Sequence, residues 1–329
     1  MKVIFCLSNL YIPSSIMLIS EYKEDDIVIY TYESGIKKFF EELKLERVEV
    51  YFRDEVNYKK VFQFFKLKYR TLKYFNTNKK IDKIYFFHNT FGLFENWLIK
   101  KLSKDIKIVY IPTFDNLGFK KRLSFKGLKQ KIISLFFYGL DSEILWTGDV
   151  FLPRTKTKFF KSIKAQYRDL DIDSTVINDF TTKHFQLPEG NIVLLTGSVI
   201  EMGRVTLNEY SHKINELLCE LGIDNILAKP HPRFVDRFAL EKQLKLIPSY
   251  VPANILFLKY KVFIGYSTCV VSEAVSVGCL GISLLDFFKP NSITMQKNYK
   301  YYLNANLSKG EIKYPKTTQE IKDLIFDFK

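Results

Sequence analysis

A short apolar run that ends in a histidine between two prolines is the most informative stretch of this chain. Residues 225–233 read Asn-Ile-Leu-Ala-Lys-Pro-His-Pro-Arg. The apolar part, Asn225–Ala228, is typical of a buried parallel strand, and the prolines restrict the backbone on both sides of His231. Ligands of open α/β sheets bind outside the carboxyl ends of the strands. The pattern therefore predicts a parallel sheet whose edge presents His231 to a crevice.

Further strands and helices alternate around this stretch. The apolar runs Ile192–Leu195, Val262–Gly265 and Leu280–Leu285 are predicted strands. Apolar residues spaced as on one face of a helix occupy Leu207–Leu221 and Ser272–Val277. Alternating strands and helices predict a parallel sheet covered by helices.

The first half of the chain repeats this alternation. Its predicted strands are Val3–Leu7, Ile27–Tyr32, Val48–Phe52, Ile84–Phe87, Ile108–Ile111 and Glu143–Trp146, and its predicted helices include Gly35–Leu43 and Phe91–Leu102. The pattern breaks in the polar region 153–187, where we place a domain boundary. The chain length suits two domains of roughly 150 residues. We therefore predict two Rossmann-like α/β domains, residues 1–170 and 171–329, with parallel sheets facing a central cleft.

Composition and charge restrict the partners. The 329 residues are 47% hydrophobic and 26% charged, and the formal net charge is +14. A basic protein favours anionic ligands, such as nucleic acid, anionic lipid or phosphorylated substrates. Because the sequence has no zinc-finger spacing, RNP-like aromatic run or basic zipper, we expect no nucleic-acid partner.

One stretch, 120–135, is densely basic. Its cations alternate with apolar residues and are Lys120, Lys121, Arg122, Lys126, Lys129 and Lys131. A helix of this pattern would suit an anionic membrane, and the alternative is a solvated helix face packed on a domain. No apolar run approaches the roughly 20 residues that span a bilayer. We therefore expect a cytoplasmic protein, with peripheral association with the inner membrane as the open alternative.

The cysteine positions and a search for common cofactor-binding motifs mainly exclude kinds of site. The four cysteines lie far apart in apolar contexts, which predicts buried thiols in a reducing compartment: Cys6, Cys219, Cys269 and Cys279. No group of His, Cys and carboxylate residues has metal-ligand spacing. Gly-x-Gly-x-x-Gly and Walker-type loops are also lacking. We expect neither a metal nor another cofactor.

Three loops at predicted strand ends carry candidate ligand-binding residues. The imidazole of His231 would donate to a phosphate and stabilise a leaving nucleotide, with Lys229, Pro232 and Arg233 beside it. The alternative is a rigid connector that holds a packed histidine. The hydroxyls of Ser267 and Thr268, after the strand that ends at Gly265, would cap a helix, bind phosphate oxygens, or divide the two tasks. The turn at Gly197 and Ser198 gives a weaker signal of the same kind.

In their order and spacing, these pieces resemble the bacterial sialyltransferases of glycosyltransferase family 52, which act on lipooligosaccharide, and the related capsule polysialyltransferases. The resemblance covers mainly residues 190–290 and includes Ile247-Pro248-Ser249. It implies a GT-B fold, a CMP-sialic acid donor, a surface-glycan acceptor such as lipopolysaccharide, inversion at the anomeric carbon and no metal. In that scheme His231 assists departure of CMP, and Ser267 and Thr268 hold the phosphate.

The resemblance also implies a general base in an acceptor-side N-terminal domain, while the C-terminal domain binds the nucleotide sugar. The family has an acidic pair followed by glycine, and the nearest counterpart here is Thr113–Gly118, with Asp115 as the predicted base. Asn116 replaces the second acid, and Leu117 intervenes before Gly118. The alternative is an Asp-Asn turn without catalytic role.

Two weaker assignments and two rival functions complete the hypothesis. His88 and Asn89 end a predicted strand and are weak candidates for acceptor binding. Glu273 is a candidate for donor binding, and it would contact a ribose if the donor were a UDP-hexose rather than CMP-sialic acid. A noncatalytic glycan-assembly protein on the same fold is the other alternative, because the acidic motif around Asp115 is altered.

Overall fold

The computed structural model describes residues 1–77, 80–87, 93–112, 129, 132–139, 162–196, 205–222, 225–231, 244–288, 292–305 and 307–328. The chain divides into two compact units, Met1–Ile172 and Asp173–Lys329. The predicted boundary lay after residue 170, close to this division. Helices and strands below are numbered along the described residues.

The first unit contains a six-stranded sheet in which every strand is parallel to its neighbours, in the order β3-β2-β1-β4-β5-β6. The strands are β1 Lys2–Phe5, β2 Ile27–Thr31, β3 Val48–Phe52, β4 Lys83–Phe86, β5 Lys107–Tyr110 and β6 Gln166–Tyr167. Strands β1 and β2 are buried along their whole length, as expected for central parallel strands with helices on both faces.

Helices of the first unit are α1 Ile12–Glu21, α2 Ser34–Glu42, α3 Val61–Thr77 and α4 Leu93–Leu102. A short π-helix occupies Ser134–Tyr138. The core on one side of the sheet is aromatic: the rings of Phe5 and Tyr30 stack with centroids 4.4 Å apart, and Phe64 of α3 is buried beside them in the same cluster.

The second unit contains a five-stranded parallel sheet in the order β11-β10-β7-β8-β9. Its strands are β7 Ile192–Thr196, β8 Ile226–Pro230, β9 Lys245–Leu246, β10 Val262–Gly265 and β11 Leu280–Ser283. Its helices are α5 Ser174–His184, α6 Leu207–Leu221, α7 Cys269–Ser276, α8 Ile293–Ala305 and α9 Thr318–Asp327. The predicted class, two α/β units with parallel sheets, is confirmed, and the GT-B arrangement with the two sheets facing a central cleft stays a prediction.

Helix α6 shows why the apolar pattern located helices well. Thr206 caps its first turn by accepting a hydrogen bond from the backbone N–H of Glu209 at 3.2 Å. Ile214 and Leu217 are buried on one face. The helix stops at Gly222, whose φ of 77° favours glycine.

Strands β6 and β9 and the start of helix α7 differ from the predictions. Strands β6 and β9 were not predicted, because two residues are too few for a periodic pattern. Helix α7 begins at Cys269 rather than at Ser272, since Thr268 caps it. The predicted strand Glu143–Trp146 lies outside the described residues.

The prediction of four buried cysteines is wrong for two of them. Cys6 and Cys279 are buried, Cys269 is half-buried and Cys219 is exposed. The apolar face of α6 passes through Leu218, so the next residue, Cys219, points to the opposite, solvated face. No helix among the described ranges has both the length and the apolar character needed to cross a membrane.

A buried ion pair joins α4 to the sheet of the first unit. The Nε of Arg53 donates to Oε1 of Glu95 at 2.8 Å, and the hydroxyl of Tyr30 donates to the same oxygen at 3.0 Å. The guanidinium also lies over the rings of Tyr32 and Phe94. Burial, followed by the charge of Glu95, raises the pKa of Tyr30 well above its usual range, so this phenol stays a donor.

We expect Glu95→Ala to lower the free energy of unfolding by about 3–5 kcal/mol, because it leaves the Arg53 guanidinium buried without its carboxylate. The matched control is Glu41→Ala, which removes an exposed i,i+4 pair with Lys37 at 3.7 Å and should cost less than about 1 kcal/mol. Urea unfolding measures both. Similar losses in the two variants would contradict the buried-pair interpretation.

Candidate functional site

The candidate site lies where three neighbouring strands of the second sheet end. Strand β7 lies between β8 and β10, with Thr196 opposite Pro230 and Leu195 opposite Gly265. Because the strands are parallel, their carboxyl ends meet at one edge. Neighbouring strands lie about 5 Å apart, so the ends of β8 and β10 are separated by roughly 10 Å.

The loop after β8 holds His231 at this edge. The backbone N–H of His231 donates to the carbonyl oxygen of Thr196 at 3.1 Å. The Thr196 hydroxyl donates in turn to the carbonyl oxygen of Lys229, also at 3.1 Å. These bonds continue the pairing of β7 and β8 up to the histidine, which is half-buried. The structure therefore places His231 at the sheet edge, as its position in the sequence predicted.

Lys229 is the last residue but one of β8 and supports the loop that follows. Its side chain is buried, and Nζ donates to the carbonyl oxygens of Pro230 at 2.9 Å and Ser249 at 3.1 Å. Burial lowers the pKa of Lys229 to about 7. These contacts fasten the end of β8, directly before His231, to the segment after β9. A direct contact of Lys229 with the donor stays a prediction.

The segment Ile247-Pro248-Ser249 has no role that its sequence alone predicts. In the structure the backbone N–H of Ile247 donates to the carbonyl oxygen of Ala228 at 2.9 Å, and Ser249 receives the Lys229 ammonium. This segment therefore buttresses the candidate site. The sequence signal for this contact was a lysine directly before a proline-rich strand end. Its partner, Ser249, lies 20 residues further along the chain.

The loop after β10 is shaped by Gly265 and Thr268. A Cβ on Gly265 would lie 2.7 Å from the Thr268 methyl group, so glycine lets the loop turn tightly against the strand. The Thr268 hydroxyl accepts from the backbone N–H of Val270 at 3.4 Å and caps α7. The half-buried Ser267 hydroxyl has no hydrogen bond to any of the described residues. The capping role is thus taken by Thr268, and Ser267 stands beside the helix N-terminus.

Glu273 adds a buried carboxyl group on α7. Its Oε1 is buried and lacks a hydrogen-bond partner within the described part of the chain. Burial raises the pKa of Glu273 to about 7, although a hydrogen bond with the Cys269 thiol acts in the opposite direction. Burial, followed by the Glu273 charge, raises the pKa of Cys269 to about 12, so the thiol stays protonated. Near neutral pH the carboxyl group is close to half-ionised and retains capacity for another hydrogen bond.

Seven predicted site residues lie outside the described residues: His88, Asn89, Asp115, Gly197, Ser198, Pro232 and Arg233. Their assignments stay predictions. Strands β4 and β5, which precede His88 and Asp115 respectively, are neighbours in the first sheet. No cluster of three or more His, Cys, Asp or Glu side chains suited to a metal ion occurs among the residues described.

No protein-family model matches the chain, and no curated protein matches it. Among solved structures, the chain is similar to the Methanocaldococcus jannaschii UDP-GlcNAc 2-epimerase, at 14% identity and a TM-score of 0.48, over 100% of this chain and 92% of that one. It is similar to the E. coli heptosyltransferase WaaC with ADP, at 12% identity and a TM-score of 0.45, over 100% of both chains.

A sialyltransferase from Photobacterium damselae is also similar, at 10% identity and a TM-score of 0.43, over 95% of this chain and 99% of that one. Likenesses this remote carry no inference about the activity of this chain.

We expect Lys229→Met to lower the free energy of unfolding by roughly 1–3 kcal/mol, because the carbonyl groups of Pro230 and Ser249 lose their donor. The control is Lys259→Met, since the Lys259 ammonium donates to the Leu187 carbonyl oxygen at 2.8 Å at the surface, where water can replace it. Urea unfolding should show a clearly smaller loss for the control.

The free energy of unfolding of the wild type minus that of Lys229→Met should also increase with pH. Between the folded pKa of about 7 and the ordinary value of 10.5, the folded state binds fewer protons at Lys229 than the unfolded chain does. Stability rises with pH wherever the unfolded state binds more protons. Urea unfolding at the two ends of this interval measures the slope. A difference that is constant or falls with pH would contradict a lowered lysine pKa.

Proposed function

We propose that this chain transfers sialic acid from CMP-sialic acid to a hydroxyl group of a bacterial surface glycan, lipopolysaccharide or lipooligosaccharide, with inversion and without a metal. The proposal rests on one observation in the second unit. His231 and the Ser267–Thr268 pair follow the carboxyl ends of the two strands that flank β7, so they lie on either side of the end of β7.

A phosphate placed over the end of β7 would meet both groups. On the β10 side, the N-terminus of α7 supplies backbone N–H groups and a partial positive charge, and Ser267 supplies a hydroxyl. On the β8 side, the imidazole of His231 is a donor. The roughly 10 Å between the two strand ends is wide enough for a phosphate that accepts from both. The motif order of the sequence, which resembles that of sialyltransferases, favours CMP as the nucleotide.

The proposed reaction needs a base in the first unit and charge stabilisation in the second. Asp115 takes the proton of the acceptor hydroxyl, whose oxygen attacks the anomeric carbon of the donor sugar. The bond between that carbon and the phosphate oxygen breaks, and its electron pair leaves with CMP. His231 and Ser267 donate to the phosphate as its negative charge develops.

Glu273 supports a nucleoside ligand beside the phosphate. Its buried Oε1 lacks a partner among the described residues, and a ribose hydroxyl would satisfy it. A ribose is common to cytidine and uridine donors. The same observation therefore favours the second candidate function, transfer of a hexose from a UDP-sugar on this scaffold.

We expect His231→Ala to lower kcat by about 100-fold or more, because a donor to developing negative charge is removed. The assay follows release of CMP from CMP-sialic acid in the presence of a desialylated lipooligosaccharide. His212→Ala is the matched control, since His212 is an exposed histidine of α6 in the same unit. The control should keep wild-type kcat.

The other possible outcomes would revise the proposal in different ways. Activity of His231→Ala within a few-fold of wild type would refute the phosphate role of the imidazole. Turnover of a UDP-hexose but not of CMP-sialic acid would support the second candidate function, with a UDP-hexose as the donor. Nucleotide binding without turnover of either donor would indicate a noncatalytic glycan-assembly protein.

A further inference from the structure

One face of α3 exposes aromatic side chains to solvent, where a surface helix usually carries polar residues. Phe62, Phe65 and Tyr69 are 92%, 51% and 67% exposed, and their spacing places them along one side of the helix. The opposite side carries Phe64 and Leu67 into the core. Helix α3 is therefore apolar on its buried face and aromatic on part of its solvent face.

A second exposed apolar segment lies beside this helix. Within residues 132–138, Ile132, Leu135 and Phe136 are exposed, and Phe136 is 85% exposed. The Lys68 ammonium of α3 donates to the carbonyl oxygen of Phe137 at 2.7 Å. The rings of Phe64 and Phe137 lie 5.3 Å apart, edge to face.

These contacts fix the segment against α3, so the exposed side chains of both belong to one part of the molecular surface. We call it the aromatic surface, formed by Phe62, Phe65, Tyr69, Ile132, Leu135 and Phe136. Single exposed apolar residues are ordinary in soluble proteins. Six such side chains on two segments that pack against each other are typical of an interaction site.

Helix α3 and residues 132–138 contain no acid, and one acid outside them, the exposed Asp54, lies 3.7 Å from the Arg70 guanidinium. Helix α3 contains four cations and no acid: Lys66, Lys68, Arg70 and Lys73. Residues 116–140 contain six cations and no acid. Exposed aromatic rings bordered by lysine and arginine match the interface of an anionic bilayer, where rings enter the headgroup region and cations meet phosphate groups. A second copy of the chain fits this face poorly, because two such faces would bring like charges together.

We propose that the aromatic surface, formed by one face of α3 and residues 132–138, binds an anionic lipid bilayer. The rings of Phe62 and Phe136, which are almost fully exposed, enter the interface, and the exposed Lys66 and Lys73 of α3 hold the headgroups. This role is independent of the donor that the second unit binds.

The test is flotation of the full chain with vesicles of phosphatidylcholine alone and of equal parts phosphatidylcholine and phosphatidylglycerol. We expect the wild type to float only with the anionic vesicles. The double variant Phe62→Ser/Phe136→Ser should lose about tenfold or more in partitioning, because two rings no longer leave water. The matched control is Phe326→Ser, which removes an aromatic side chain of α9 that is 71% exposed and lies among acidic residues.

The outcomes separate the proposal from its alternatives. Because Phe62 and Phe136 make little contact with the core, thermal unfolding of the double variant should match that of the wild type. Equal flotation of wild type and double variant would overturn the proposal, as would absence of wild-type flotation with anionic vesicles. If the wild type forms a dimer and does not float, and the double variant is a monomer, the surface is an interface between copies of the chain.

Discussion

The buried ammonium of Lys229 is the interaction on which the candidate site depends. It joins the carbonyl groups of Pro230 and Ser249, and thus fastens the end of β8, directly before His231, to the segment after β9. The parallel pairing of β7 with β8 and β10 then brings His231 and the N-terminus of α7 to one edge. His231 and Ser267 lie on either side of the end of β7 because their strands flank it. The chemistry proposed for the second unit follows from this placement.

Much of the fold was predictable because buried parallel strands are nearly continuous apolar runs. Val48–Phe52 and Val262–Gly265 were predicted with the bounds that the structure shows. The two-residue strands β6 and β9 were missed, since they carry no pattern and owe their conformation to the neighbouring strand. The start of α7 was predicted too late: the helix begins at Cys269, directly after the Thr268 cap.

The candidate site was less predictable than the fold, because the role of a side chain depends on partners distant in sequence. A lysine before the Pro-His-Pro motif was predicted to bind the donor through its charge, yet its described contacts are backbone carbonyl groups. The aromatic face of α3 was missed, since its importance lies in exposure and in the adjacent residues 132–138. Asp115 stays a prediction from resemblance, as it lies outside the described residues.

The most direct test of the central claim, that the second unit binds the donor nucleotide CMP at the ends of β7, β8 and β10, is a thermal-shift panel with CMP, CDP, UMP, UDP, GDP and AMP. A ligand at about 100 times its Kd stabilises the folded state by roughly 2.7 kcal/mol, which such a measurement detects. We predict a selective shift with CMP. A selective shift with UDP would contradict the CMP donor while keeping a nucleotide site, and no shift with any nucleotide would contradict the claim itself.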